Sequence, residues 1–159
     1  MGRAASETCP GNTTSTSTGE ETSRLFIDTG ALVALEDTDD ENHKSALGFR
    51  ERIRKSLTPF RTLCTSNYVV DETLTLLKER CGLSVAVSFR EDLEASRVTR
   101  VLWIEPAVEQ GAWRIFKAHR DKGYSFTDCT SFALMDLHAI KNCFAYDGHF
   151  RQYGFVMHP

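Results

Sequence analysis

Arg24-Leu-Phe-Ile-Asp28, followed at once by Thr29-Gly-Ala-Leu-Val-Ala-Leu35, decides how the chain is read. Three consecutive bulky apolar residues that end in an acid read as a short buried strand whose charged end reaches a sheet edge. The stretch TGALVALEDTDD (29–40) turns from that strand into a helix. Near the other end, NCFAYD (142–147) repeats the pattern, with Asp147 closing a second apolar strand.

Between these two strands, helical and extended stretches alternate. DENHKSALGFRERIRKSL (40–57) places Ala46, Leu47, Phe49, Ile53 and Leu57 near helical spacing, and Pro59 is expected to end that helix. RTLCT (61–65) is a strand, and Ser66 is the expected N-cap of SNYVVDETLTLLKER (66–80). Val69, Val70, Thr73, Leu74 and Leu77 share one face of that helix, and Gly82 stops it. A helix over 83–96 and a strand over 97–104 follow. Next comes a helix over 105–123, with Pro106 in its first turn and Gly123 after its end. Another helix spans 125–140, opened by Thr127 or Ser125; then come a turn of helix over 148–154 and a last strand over 155–159. Strands alternating with helices predict an α/β fold with a parallel sheet wrapped by helices.

Residues 1–23 differ from the rest: ten are Ser or Thr, and Met1 is the sole large apolar residue. Such a segment buries too little apolar surface to offset its ordering entropy. The expectation is a disordered extension, or a start codon chosen upstream of the true one, followed by one folded domain over 24–159. The 159 residues suffice for a core without disulfides. Apolar residues make up 41% and charged residues 26%, which excludes collagenous, membrane-spanning and wholly disordered classes. The net charge of −3 means that a nucleic-acid partner must be met by a local basic patch. Cys9, Cys64, Cys81, Cys129 and Cys143 are odd in number and show no C-x-x-C spacing, so reduced thiols and a cytoplasmic location are expected.

Four acids carry the functional reading. Asp28 and Asp147 close strands, Glu72 lies in the first turns of the helix after the second strand, and Asp128 lies in the first turn of the helix over 125–140. Ligands of an open parallel sheet bind outside the carboxyl ends of its strands, where Asp28, Glu72 and Asp147 would gather, joined by Asp128 if its helix starts at the same rim. Converging carboxylates repel one another unless a cation lies between them, and oxygen-only ligands select Mg²⁺ or Mn²⁺. Such an ion acts on phosphate. For any one acid taken alone, a helix cap or a dipole partner is the simpler explanation.

These residues resemble a PIN domain, in particular the toxin ribonucleases of VapC type. The resemblance rests on FIDTGALVAL, DENHKSA, TSNYVVDETLTLL, FTDCTSFALM and FAYDGHFRQYGF, in that order along nearly the whole of 25–159. It implies a three-layer sandwich, with a mainly parallel sheet flanked by helices, and metal-dependent RNA hydrolysis that leaves 3′-hydroxyl and 5′-phosphate ends. Asp28, Glu72, Asp128 and Asp147 match the catalytic, metal-holding acids for Mg²⁺ or Mn²⁺. Thr29 and Thr127 match supporting hydroxyls, and His43 a structural histidine. The resemblance further implies an RNA substrate, a cognate antitoxin and a homodimer, with which the apolar surplus of ALVAL and VVDETLTLL is compatible. One departure stands out: Gly148 occupies a position that is often basic, with His149 and Arg151 close by.

Other features have ordinary readings. The cations of FRERIRKS (49–56) fit a phosphate patch or a solvated face equally well. Trp103, Trp113 and Phe116 either stack bases or, as their spacing favours, pack into the core. Cys129 beside Asp128 should have a suppressed thiolate. Two alternatives to the nuclease are weaker. An aspartate-based phosphotransfer protein lacks the second acid, since position 30 is Gly, and a non-catalytic PIN module does not need all four acids.

Overall fold

The structure, a computed structural model, describes residues 23–159; the expected extension, Ser23 apart, lies outside them. Strand β1 (Arg24–Ile27) leads into α1 (Thr29–Glu36) and α2 (His43–Arg54). β2 (Thr62–Ser66) leads into α3 (Asn67–Arg80) and α4 (Leu83–Ala95). β3 (Thr99–Leu102), α5 (Pro106–Ala118) and α6 (Phe126–Leu137) follow, then β4 (Asn142–Phe144), α7 (His149–Tyr153) and β5 (Val156–His158).

The five strands form one sheet in the order β3-β2-β1-β4-β5, and every adjacent pair is parallel. The chain moves outward from β1 to β3 on one side and from β4 to β5 on the other. The strand order therefore reverses between β1 and β4, the crevice where open parallel sheets bind ligands. Asp28 follows β1, and its N–H donates to the carbonyl of Phe144 at the end of β4 (3.0 Å).

The core lies on the central strands. Leu25, Phe26 and Phe144 are almost fully buried, and Phe132 packs edge-on to Phe150 with ring centroids 5.1 Å apart. In α1, Thr29 and Ala31 through Ala34 are all buried. The apolar residues of ALVAL in α1 are therefore packed almost wholly within the chain, whereas Leu74 and Leu76 of α3 stay partly exposed and line an open groove. The exposed large apolar side chains lie elsewhere, on residues such as Trp103, Trp113, Phe116 and Leu137.

The capping expectations for α3 hold. The Ser66 hydroxyl accepts from the Val69 N–H (3.1 Å), and Gly82 ends the helix at φ +94°, a backbone that side chains disfavour. Several boundaries differ from expectation: α5 ends at Ala118, short of Gly123, and β3 covers only Thr99–Leu102. Helix α2 ends at Arg54, well before Pro59, because Ser56 turns into the left-handed region (φ 57°) and the Leu57 N–H caps the Arg52 carbonyl (2.9 Å). Strand β4 ends at Phe144, so Asp147 lies in the turn beyond the strand instead of closing it.

Candidate functional site

Asp28, Glu72, Asp128 and Asp147 all line one cavity of about 350 Å³ at the carboxyl edge of the sheet. Each reaches it by a different local device. Asp28 is the N-cap of α1, and its Oδ2 accepts from the Gly30 N–H (3.3 Å). Glu72 lies on α3, held by the Thr29 hydroxyl, which donates to its Oε2 (2.6 Å). Asp128 forms a capping box at the start of α6. Its Oδ2 accepts from the Ser125 N–H (2.8 Å), while the Ser125 hydroxyl accepts from the Asp128 N–H (2.9 Å). Ser125, and not Thr127, is thus the cap.

Asp147 is the most exposed of the four. Its Oδ1 accepts from the His149 N–H (2.9 Å), and its Oδ2 lies 3.0 Å from His149 Nδ1. The same Nδ1 lies 3.2 Å from Asp128 Oδ2, so the imidazole bridges two of the acids. Ligand atoms of Asp128, Asp147 and His149 lie within 4.8 Å of one another, close enough to share an ion. Gly148 adopts ordinary right-handed backbone (φ −60°, ψ −12°), so nothing in its conformation demands glycine.

The electrostatics follow from burial. Asp28 is 5% exposed. Desolvation, then repulsion from Asp128, pushes its carboxyl from 3.8 up to about 7, against the pull of the N–H groups of Thr29 and Gly30. The donor set is made of carboxylate oxygens with one imidazole, which fits a hard divalent cation better than a thiolate-seeking one. Burial and then Asp128 push the Cys129 thiol up to about 11, so it stays protonated.

Some residues that line the cavity escape a reading by motif: Asp40, Asn42, Arg80 and Tyr146. Arg80 Nη1 lies 3.6 Å from Asp40 Oδ2 and 4.0 Å from Asp37 Oδ2. Glu72, Leu76 and Arg80 all face the cavity, and their i, i+4, i+8 spacing on α3 was the available signal. Thr127 lies elsewhere. It lines an adjoining groove of about 780 Å³ with Tyr68, Arg90, Trp103 and Glu72. His43 is structural, its Nδ1 2.7 Å from the Ala34 carbonyl. In 49–56, Glu51 pairs with both Arg54 (2.7 Å) and Lys55 (3.3 Å), as on a solvated face.

The core placement of the aromatic residues is overturned. Trp103 lies just past β3 and is 70% exposed, while Trp113 and Phe116 are 50% and 40% exposed on α5. Spacing on a helix identifies a face but not whether anything covers it.

Comparison with known proteins agrees with this architecture. The 23S rRNA-specific endonuclease VapC20 of Mycobacterium tuberculosis is 39% identical over 132 residues, covering 83% of this chain and 95% of that one. A VapC ribonuclease of Archaeoglobus fulgidus is 30% identical over 126 residues, 79% of this chain and 78% of its own. The crystal structure of M. tuberculosis VapC20, described as a Sarcin-Ricin loop cleaving toxin, superposes with a TM-score of 0.74 at 37% identity, covering 83% of this chain and 96% of that one. The family model for the PIN domain matches residues 25–156, and the chain belongs to the PIN domain family.

Proposed function

We propose that residues 24–159 form a Mg²⁺- or Mn²⁺-dependent endoribonuclease, the toxin of a toxin–antitoxin pair. One observation carries the reading: four carboxylates from four separate stretches of the chain line one cavity at the switch point of a parallel sheet. The names of the relatives, a 23S rRNA-specific endonuclease and a VapC ribonuclease, support RNA as the substrate. Ribosomal RNA is the first substrate to test.

Asp28, Glu72, Asp128 and Asp147 would hold the ion. When bound, it would stabilise the negative charge that develops on the phosphoryl oxygens and lower the cost of generating hydroxide. The chain's own groups set the stage. The Thr29 hydroxyl orients Glu72, and the Ser125 N–H orients Asp128. His149 Nδ1, between Asp128 and Asp147, is placed to hold or pass a proton at the cavity mouth. Arg80 sets a guanidinium on the cavity wall, where it can meet a substrate phosphate. Expected products carry 3′-hydroxyl and 5′-phosphate ends. An antitoxin and a second copy of the chain are the proposed protein partners, and the cytoplasm is the proposed location. Among the described residues no helix is long and apolar enough to cross a membrane.

The test is cleavage of ribosomal and total RNA by wild type and Asp28→Asn, with Mg²⁺, Mn²⁺ or EDTA. Discrete products that need the metal and fall by about 10³-fold or more in the variant are expected, since a bound ion is worth several kcal/mol at the transition state. Products that persist in EDTA or in the variant would overturn the proposal. So would failure of wild type both to cleave and to bind Mn²⁺.

A further inference from the structure

Among the described residues that line the four-acid cavity, Arg80 is the single arginine or lysine. It is the last residue of α3, and half of its side chain is exposed. Two carboxylates of the α1–α2 connection stand beside its Nη1, with Asp40 Oδ2 3.6 Å and Asp37 Oδ2 4.0 Å away. Both acids are fixed by their own loop. Asp37 Oδ1 accepts from the Asp39 N–H (3.0 Å), and Asp40 Oδ1 accepts from the Asn42 N–H (2.8 Å). Each acid thus uses one oxygen to hold the loop and turns the other toward Arg80.

The spacing is that of charges held near one another without a closed hydrogen bond. Among the described residues, no guanidinium N–H of Arg80 has an acceptor within hydrogen-bond distance. A closed pair in the same chain looks different: Arg54 meets Glu51 through Nε and Nη2, both at 2.7 Å, on an exposed face. Were Arg80 only a tie between α3 and the loop, a similar fork would be expected. Instead, Asp37 and Asp40 offset part of its charge and keep it at the cavity wall, while its N–H groups stay unfilled. A phosphate that reaches them gains charge-assisted hydrogen bonds that neither carboxylate makes.

Position on the helix says which phosphate this is. Glu72 and Arg80 both face the cavity from α3, eight residues apart. That separation is about 12 Å along the axis at about 1.5 Å per residue. Both side chains lean toward the helix N-terminus, which keeps most of the offset. A single phosphate group is smaller than this span, so the group that meets Arg80 is not the one at the acids.

We infer that Arg80 binds the phosphate next to the scissile one, anchoring the RNA backbone while the four acids face its neighbour. The inference rests on the ribonuclease reading for its substrate. It makes Arg80 a determinant of affinity, with Asp37 and Asp40 as the residues that position it.

The experiment measures binding of a 5′-labelled, mixed-sequence RNA oligonucleotide to the full chain across a salt series, with Ca²⁺ replacing Mg²⁺ so that the RNA stays whole. Circular dichroism checks the folding of each variant. Arg80→Gln should lose about tenfold in affinity, as expected for a lost charged hydrogen bond. It should also lower the slope of log affinity against log salt by about 0.7, one phosphate contact on a single strand. Arg80→Lys should restore the slope but only part of the affinity, since a point charge lacks the fork. Asp40→Asn weakens the ion pair but keeps the guanidinium, and should keep the wild-type slope. In Mg²⁺, Arg80→Gln should raise KM about tenfold with kcat within about threefold of wild type. A neutral methylphosphonate linkage beside the cut should erase the difference between wild type and Arg80→Gln on one side of the cut. An unchanged slope in Arg80→Gln overturns the inference. So does an Asp40→Asn variant that loses as much affinity as Arg80→Gln, which reduces Arg80 to a tie between loop and helix. A fall in kcat at unchanged KM also overturns it, by placing Arg80 on the scissile phosphate. Wild type that binds RNA with an Arg80-dependent slope but never cleaves it overturns the ribonuclease reading and leaves Arg80 as a phosphate contact. Wild type that cleaves, with Arg80→Gln indistinguishable from it, does the reverse.

Discussion

The two edges of the sheet treat charge in opposite ways. At the amino edge, Arg24 Nη1 donates to the His138 carbonyl (3.2 Å), and Arg61 Nη1 donates to the carbonyls of Thr58 (2.6 Å) and Phe60 (2.9 Å). These cations keep their charge but are hydrogen-bonded by the chain's own backbone and help to tie off loops. At the carboxyl edge, four acids line one cavity, with hydroxyls, N–H groups, His149 and Arg80 around them. Both edges mix charged side chains with strand ends. The difference lies in the partner: carbonyl dipoles complete the arginines, whereas the acids face one another and are left short of positive charge. A charge completed by its own fold serves stability. A cluster left incomplete costs stability and is available to a ligand.

The sharpest way to break this contrast is to neutralise Asp28 without its ligand. Its folded carboxyl titrates near 7 against 3.8 unfolded, so between these values the folded state holds the extra proton. Stability of the metal-free protein should therefore fall as pH rises from about 4 to 7, by at most about 4 kcal/mol at 1.4 kcal/mol per unit. Asp28→Asn should flatten that slope and make the metal-free chain more stable than wild type at pH 8. Urea unfolding at pH 5 and pH 8 in EDTA checks this. Equal slopes for the two proteins would show that burial and Asp128 do not raise the Asp28 carboxyl.

A smaller effect sharpens the contrast from inside the cavity. Thr29→Val removes the hydroxyl that donates to Glu72 Oε2 while keeping the shape of the side chain. Loss of such an orienting bond should weaken Mn²⁺ binding by about 10- to 100-fold, and Thr29→Ser should restore it. Calorimetric titration of Mn²⁺ into the three proteins reads this directly. The smallest effect belongs to the amino edge. Arg24→Ala should cost about 1 kcal/mol of stability and leave RNA cleavage within twofold of wild type. A large loss of cleavage in Arg24→Ala would erase the distinction between the edges.

Much of the cavity could be read from residue order. Asp28 and Asp147 stand out because each follows an apolar run, and Asp128 because it lies in the first turn of a helix that Thr127 or Ser125 opens. Neighbours of these acids were less legible. His149 was visible only as a residue near the rim, and its bridge between Asp128 and Asp147 depends on how the short α7 packs. Asp40 comes from the α1–α2 connection and Arg80 from the far end of α3; nothing local to either residue points to the other. The aromatic residues of α5 show the same limit from the other side. Trp113 and Phe116 have the helical spacing of a buried stripe, yet they are turned outward.

The order of elements, the parallel sheet and the four acids follow from the sequence, because apolar period, capping residues and strand-ending charges act over a few residues. Where α2 stops, which apolar faces are covered, and which hydroxyl, imidazole and guanidinium reach the acids follow from the packed chain. Those contacts join residues as far apart as Thr29 and Glu72, or Asp128 and His149. Their energies exist only once the sheet has brought its carboxyl ends together.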